Sequence, residues 1–144
     1  MDLDRIQQAL RRQNLDGWLF YSFRGSDPIA EEVRSILDGH IYLSRRLAQA
    51  SHYPAIDVLA SASRLMPRVT PTTHQRAAGA LRRYLAKYRE IEMLLQLGEY
   101  KPGGDADADT AIARIDAINQ LLRQDTHEHA EFAATLKRLI GVCA

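Results

Sequence analysis

The chain holds 144 residues, 46% hydrophobic and 26% charged, the composition of one soluble globular domain with a single core. Nineteen Lys and Arg against eighteen Asp and Glu leave a net +1, which excludes a bulk field drawing the chain to nucleic acid or an anionic membrane. No apolar run approaches the roughly 18 residues of a membrane span, and the single cysteine, Cys143, rules out an internal disulfide and a cysteine zinc cage, as expected of a cytoplasmic protein.

Leu3, Ile6 and Leu10 share one side of a short helix in a charged, amphipathic start that does not read as a signal peptide, and Gly17 closes it. The aromatic run Trp18 to Phe23 suits a strand, broken by Gly25-Ser26-Asp27-Pro28. Asp27 caps a helix with Pro28 at its first position and Ile29, Val33, Ile36 and Leu37 inward, ending at Asp38-Gly39. A brief strand is expected at His40 to Leu43, then a helical turn or two capped by Ser44 and ending before Tyr53-Pro54, then the apolar run Ala55 to Leu59.

The strongest periodicity begins after Arg68. Thr70 is placed as N-cap and Pro71 as first residue of a helix reaching about Leu97, with Ala77/Ala78, Leu81, Leu85, Tyr88, Ile91 and Leu95 on its inward face and Gly98 as its stop. Pro102-Gly103-Gly104 reverses the chain into a helix from about Asp107 to Gln124, with Ile112, Ile115, Ile118 and Leu122 on one face. A last helix runs from about His129 to Ile140 and carries Phe132, Leu136, Leu139 and Ile140. The predicted fold is mainly α: a C-terminal helical bundle preceded by a short helix-strand segment. Charge divides within the bundle, with six basic against three acidic groups in residues 71–101 and four against seven in 102–144.

Phosphate-binding chemistry needs glycines leading into a lysine, so that bare N–H groups and an ammonium meet the phosphates together. Lys87, Lys101 and Lys137 are the chain's lysines and none follows a glycine, so it is not expected to hydrolyse a nucleotide alone. Asp105, Asp107 and Asp109 imitate the opening of a calcium loop, but Thr110 stands where the loop needs glycine and Asp116 replaces its long glutamate; these carboxylates read as helix caps. His127 and His129 lack metal-site spacing, and no serine or cysteine sits in a nucleophile setting, so no metal is expected.

The middle of the chain, D-P-I-A-E-E-V-R-S-I-L-D-G-H-I-Y-L-S-R-R-L-A and H-Y-P-A-I-D-V-L-A-S-A-S-R-L-M, resembles the passage from nucleotide-binding core to C-terminal domain in type III secretion (injectisome) ATPases. The likeness continues through Leu81 to Tyr100 and Ala111 to Gln124, with the flagellar export ATPase and rotary ATP synthase catalytic subunits as relatives and the G-E-Y turn closer to the injectisome branch. It implies that Arg64 of S-x-S-R is an arginine finger aimed at a neighbour's γ-phosphate and that Tyr53 of H-Y-P-A lines the adenine pocket, where a ring face stacks on the base. It also implies ATP and Mg in the complete enzyme, a homo-hexamer, a central stalk protein and chaperone–effector complexes as partners, and a membrane reached only through the secretion apparatus. Arg76, Arg82, Arg83, Lys87 and Arg89 are the candidate partner-binding residues.

The family's N-terminal barrel and P-loop core do not precede this region. Residues 5–30 instead resemble the opening helix and strand of Xaa-Pro aminopeptidase-like proteins of the creatinase family, without their metal ligands. The expected division is a segment of different origin at 1–26, the end of an ATPase-core-like region at 27–70 and the bundle at 71–144. The alternative function is a helical interaction or structural fragment with no secretion role.

Overall fold

A computed structural model describes residues 36–143 together with residues 8, 11, 12 and 32–34. The chain forms two compact units, residues 1–37 and 38–144. In the first, residues 32–34 and 36 are helical and the Val33 carbonyl accepts from the Leu37 N–H at 3.1 Å. Val33 is buried, as its spacing predicted, whereas Ile36, expected inward, is exposed. Of the helix expected around Leu3 to Leu10, residue 8 is described and helical, as are residues 11 and 12 just beyond it; the remainder, the strand at Trp18 to Phe23 and the helix start at Asp27-Pro28 lie outside the described residues.

The second unit opens with a small ladder. Strand β1 (Gly39–His40) pairs antiparallel with β2 (Ala62–Ser63), Gly39 opposite Ser63 and His40 opposite Ala62. Gly39 eases the close approach there, because a Cβ would stand a tight 3.1 Å from the Ala62 carbonyl oxygen. The strand expected at His40 to Leu43 is shorter and begins one residue earlier; beyond it a single bridge joins Leu43 to Ile56. Helix α1 (Arg45–Gln49) follows, its first turn closed by the Ser44 hydroxyl accepting from the Leu47 N–H at 3.4 Å, the cap read from the sequence.

Helix α2 (Met66–Val69) was not anticipated, and it displaces the cap assigned to the next helix. The Thr70 hydroxyl turns back to donate to the Met66 carbonyl at 2.7 Å, and Pro71 becomes the N-cap of α3 (Thr72–Leu97) without a side-chain cap bond. The Gln75 amide ties the start of this helix to α2 and its end, donating to the carbonyls of Pro67 and Thr70 at 3.0 and 2.7 Å. Gly98 stops α3 in the left-handed conformation, φ 72°, as its place after the last apolar residue predicted.

Asp105 caps α4 (Ala106–Leu122), accepting from the N–H groups of Asp107 and Ala108. With α5 (Phe132–Cys143) these helices form a bundle around Leu81, Tyr84, Ala111 and Ile118; Leu139, Val142 and Cys143 pack on it from α5 and Val58 from the preceding segment. Ala108, Ala111 and Ile118 are fully enclosed, and two alanines on one helix face let the facing helix approach closely. Burying Ile118 alone is worth about 1.5–3 kcal/mol. The fold is mainly α, with a helical C-terminal bundle as predicted. Phe132, expected inward, is 71% exposed at the start of α5, whose half-buried side is Leu136, Leu139 and Val142; Ile140 is exposed as well.

Candidate functional site

Residues 38–65 run out along β1, around α1, and back through β2, so both sequence-derived candidates lie on loops that fold back on each other. Its central knot is Asp57. That side chain is 14% exposed and its Oδ1 accepts from the N–H groups of Leu59 (3.0 Å) and Ala60 (3.1 Å) and from Arg89 Nη2 (3.0 Å). The Asp57 carbonyl accepts from the Ser61 N–H (2.9 Å) and Oγ (2.7 Å), while its own N–H donates to the Tyr42 carbonyl at 2.8 Å. Burial pulls the Asp57 carboxyl upward, but the Ala60 N–H, the Arg89 guanidinium and the Leu59 N–H together outweigh it and hold it below the usual range.

Arg64 stands one residue beyond β2, exposed, with its N–H donating to the Asp38 carbonyl at 2.7 Å. A two-residue ladder and that bond therefore define where its backbone emerges. Tyr53 is 56% exposed, precedes a cis peptide bond to Pro54, donates its hydroxyl to the Ala48 carbonyl (3.3 Å) and accepts from the Gln124 N–H (2.9 Å). It borders an open, polar cleft of about 860 Å³ lined also by Asn119, Gln120, Arg123 and Arg138. The two candidates are tied to different elements, Tyr53 to α1 and the end of α4, Arg64 to the residue before β1.

Sequence reasoning passed over His52. It is 6% exposed, and its N–H donates to the Leu47 carbonyl at 2.9 Å. Burial first and the Arg123 charge second push its imidazole below its ordinary value, against a bond to the Leu122 backbone, which favours the neutral ring. The H-Y-P spelling was the available signal: a histidine directly before an aromatic–proline turn.

The five basic candidates do not form one face. Arg82 and Arg89, seven residues apart, turn toward residues 57–61: Arg82 Nη2 donates to the Ser61 carbonyl at 3.2 Å and Arg89 to Asp57. Lys87 bridges Asp105 at 2.9 Å and Glu90 at 3.2 Å. Arg83 lies 5.4 Å from the Tyr84 ring centre, with Arg114 at 5.5 Å from the same ring. Arg76 and Arg83 are exposed and border a shallow groove between α3 and α5 with Gly79, Ala80 and Ile140.

Two of the three acidic residues at the head of α4 are spent internally. Asp105 caps, and Asp109 accepts from the Tyr100 hydroxyl and the Gly103 N–H, both at 2.8 Å. Among the described residues no group of three or more His, Cys, Asp or Glu is gathered to hold a metal ion, and no helix is long and apolar enough to cross a membrane.

Residues 70–141 match the family profile of the T3SS EscN ATPase C-terminal domain, and residues 24–63 that of the ATP synthase alpha/beta family nucleotide-binding domain. The type 3 secretion system ATPase of Xanthomonas euvesicatoria is 58% identical over 118 residues, 82% of this chain and 27% of that protein. The chain thus spans about a quarter of the length of that relative. The structure of the assembled ATPase EscN from enteropathogenic E. coli superposes with a TM-score of 0.80 at 43% identity, covering 88% of this chain and 31% of that one. EscN in complex with its central stalk EscO gives 0.77 at 43% identity, over 82% and 29%. Matched by profile over its helical bundle and by sequence along most of its length, the chain belongs to the type III secretion system ATPase family and carries that family's C-terminal domain.

Proposed function

We propose that this chain contributes the C-terminal part of a ring-forming, protein-exporting ATPase, in which Arg64 completes the nucleotide site of a neighbouring subunit. The observation that carries the reading is an exposed guanidinium delivered by a short, hydrogen-bonded ladder within a region that matches the nucleotide-binding family. A fixed, permanently charged, planar group is what a phosphoryl transition state needs from across an interface. Tyr53, half-exposed beside a polar cleft, supplies a ring face of the kind that stacks on adenine. ATP and Mg belong to the complete enzyme; this chain has no glycine-lysine pair to cradle the phosphates, so its own part is to orient and to stabilise charge.

Recognition of chaperone–effector complexes and of a central stalk belongs to the same proposal, with a homo-hexamer as the working assembly and the cytoplasm as its place. Support comes from the relatives: one solved neighbour is an assembled ATPase and another is in complex with its central stalk. Of the five basic candidates, Arg76 and Arg83 are the two with neither a carboxylate partner nor a side-chain hydrogen bond among the described residues, and they are the pair offered to an acidic partner surface.

The test is turnover. Arg64→Ala, placed in an active ring that carries this C-terminal segment, lowers kcat on the order of a thousandfold if the guanidinium acts on the neighbour's transition state. A ring that keeps its turnover returns Arg64 to an ordinary surface residue. Purified alone, the chain releases no phosphate from ATP above a protein-free control.

A further inference from the structure

The loop carrying Arg64 has little apolar packing of its own, so something else must set where it points. From residues 57–61, Val58 reaches the bundle core, and the turn is otherwise closed by polar bonds. Its two ends are each gripped from outside by one helix. Arg89 holds the first end through Asp57 Oδ1 at 3.0 Å, and Arg82 holds the last through the Ser61 carbonyl at 3.2 Å. Seven residues apart, the two arginines lie on one face of α3, about 10 Å along its axis. His40 Nε2 donates to the Ala60 carbonyl at 2.9 Å, and Ser61 Oγ accepts from the Tyr42 N–H at 3.0 Å, so the same turn is stitched to β1 and the strand's continuation. β2 leaves this turn directly and ends beside Arg64.

We propose that Arg89 and Arg82 are positioning residues for Arg64: two guanidiniums two turns apart on α3 hold the turn that delivers it, and its placement follows that helix. The inference rests on the reading of Arg64 as a finger. Its consequence is that a load on α3, the longest helix of the bundle, reaches a group acting in the adjoining subunit through two polar contacts. An arginine suits this task because its planar fork fixes direction as well as charge, where a lysine would supply a point charge on a flexible stem.

Two measurements test it. On this chain, amide hydrogen exchange of Arg89→Leu and Arg82→Leu is compared with the wild type. The expected result is exchange at least tenfold faster at Leu59, Ala60, Ser61 and Arg64, with the amides around Leu81 and Ile118 unchanged. Unaltered protection at residues 59–64, or equal loss throughout the bundle, overturns the proposal. The second measurement is a double-mutant cycle on turnover, in a ring of the Xanthomonas euvesicatoria relative whose C-terminal segment is exchanged for residues 38–144 of this chain. Arg89→Leu is expected to lower kcat about tenfold, leave KM for ATP unchanged, and add nothing in an Arg64→Ala background. Asp57→Asn, which keeps the acceptor for Leu59 and Ala60 but drops the charge, behaves as Arg89→Leu does.

The outcomes separate the two ideas. If Arg64→Ala leaves kcat intact in the active exchanged ring, the reading of Arg64 as a finger fails. If Arg64→Ala lowers kcat and Arg89→Leu does not, or if the two losses multiply, Arg64 remains a finger and the positioning role is overturned.

Discussion

In the three long helices the contacts are apolar and shared: Leu81 and Tyr84 from α3 meet Ala111 and Ile118 from α4, with Leu139 and Val142 of α5 against them. In residues 38–70 the pattern is reversed. A two-residue ladder, a bridge, two short helices and the bonds radiating from Asp57 define the path, and Val58 is the side chain it sends to the central cluster. Apolar burial is non-directional and tolerates small shifts, whereas each hydrogen bond specifies a distance and an angle. A region built the second way has less stability in reserve and more definition at each atom. That is a suitable mount for side chains whose direction matters, and Tyr53 and Arg64 both sit on it.

The widest test of this contrast is a charge in the shared core. Leu81→Asp places an unpaired carboxylate at a site 4% exposed and costs several kcal/mol, a large part of the roughly 5–15 kcal/mol that holds a domain together. Cooperative thermal unfolding followed by circular dichroism is expected to collapse. The same change at half-buried Leu85 costs less, and a melting temperature unmoved by Leu81→Asp would break the comparison.

Asp57→Ala is the corresponding cut in the polar region. It leaves two N–H groups and a guanidinium without their acceptor, a loss of about 2 kcal/mol, and the damage is expected to stay local. Protease cleavage within residues 57–65 rises while helical circular dichroism is kept; loss of the whole bundle would show that the regions are not separable. The pH dependence has a definite sign. A carboxyl held below its unfolded value contributes stability above the ordinary carboxylate range and loses it as pH falls through the lower folded value. Wild type and Asp57→Ala therefore converge in protease sensitivity in acid and differ most near neutrality.

Smaller still is the effect at the α3–α4 turn. Desolvation, then the bond to Asp109, raise the Tyr100 phenol from 10.0 to about 12. Its neutral form is favoured by folding, so the contribution is complete below the unfolded value and is lost as pH rises toward the folded one. Ultraviolet titration should find Tyr100 ionising late, and Asp109→Asn should bring it down toward 10.0. Smallest is Arg64→Ala, expected to change the stability of this chain by no more than about half a kcal/mol, since the side chain is exposed. A larger loss in urea denaturation would mean that Arg64 holds the fold.

The two regions also differ in how far they can be read from residues. The bundle was legible because burial repeats: the Leu81, Ile91, Ile115 and Ile118 positions, the Gly98 stop and the Asp105 cap all follow from local spacing. Tyr84 escaped although it falls on the same stripe, since two arginines precede it directly and its buried ring lies against the guanidiniums of Arg83 and Arg114. Thr70 misled because its hydroxyl had a nearer acceptor in a helix too short to show a period. Asp57 and Arg89 are 32 residues apart, and no pattern in a linear chain announces a bond of that span. Arg64 and Tyr53 were found by likeness to a family; periodicity could not have selected either.

The turn between α3 and α4 bears on how the bundle answers a force. Asp109 clamps Tyr100 and Gly103, Asp105 closes the next helix, and Lys87 reaches across from α3 to Asp105 at 2.9 Å. A pair of rods hinged at a loose joint bends there first and dissipates a push within the joint. Cross-braced at its bend, this pair instead resists flexing and tends to tilt as one beam. Its compliance is thereby shifted away from the tip and toward the opposite end of α3, where Pro71 begins the helix with no side-chain bond to its free N–H groups.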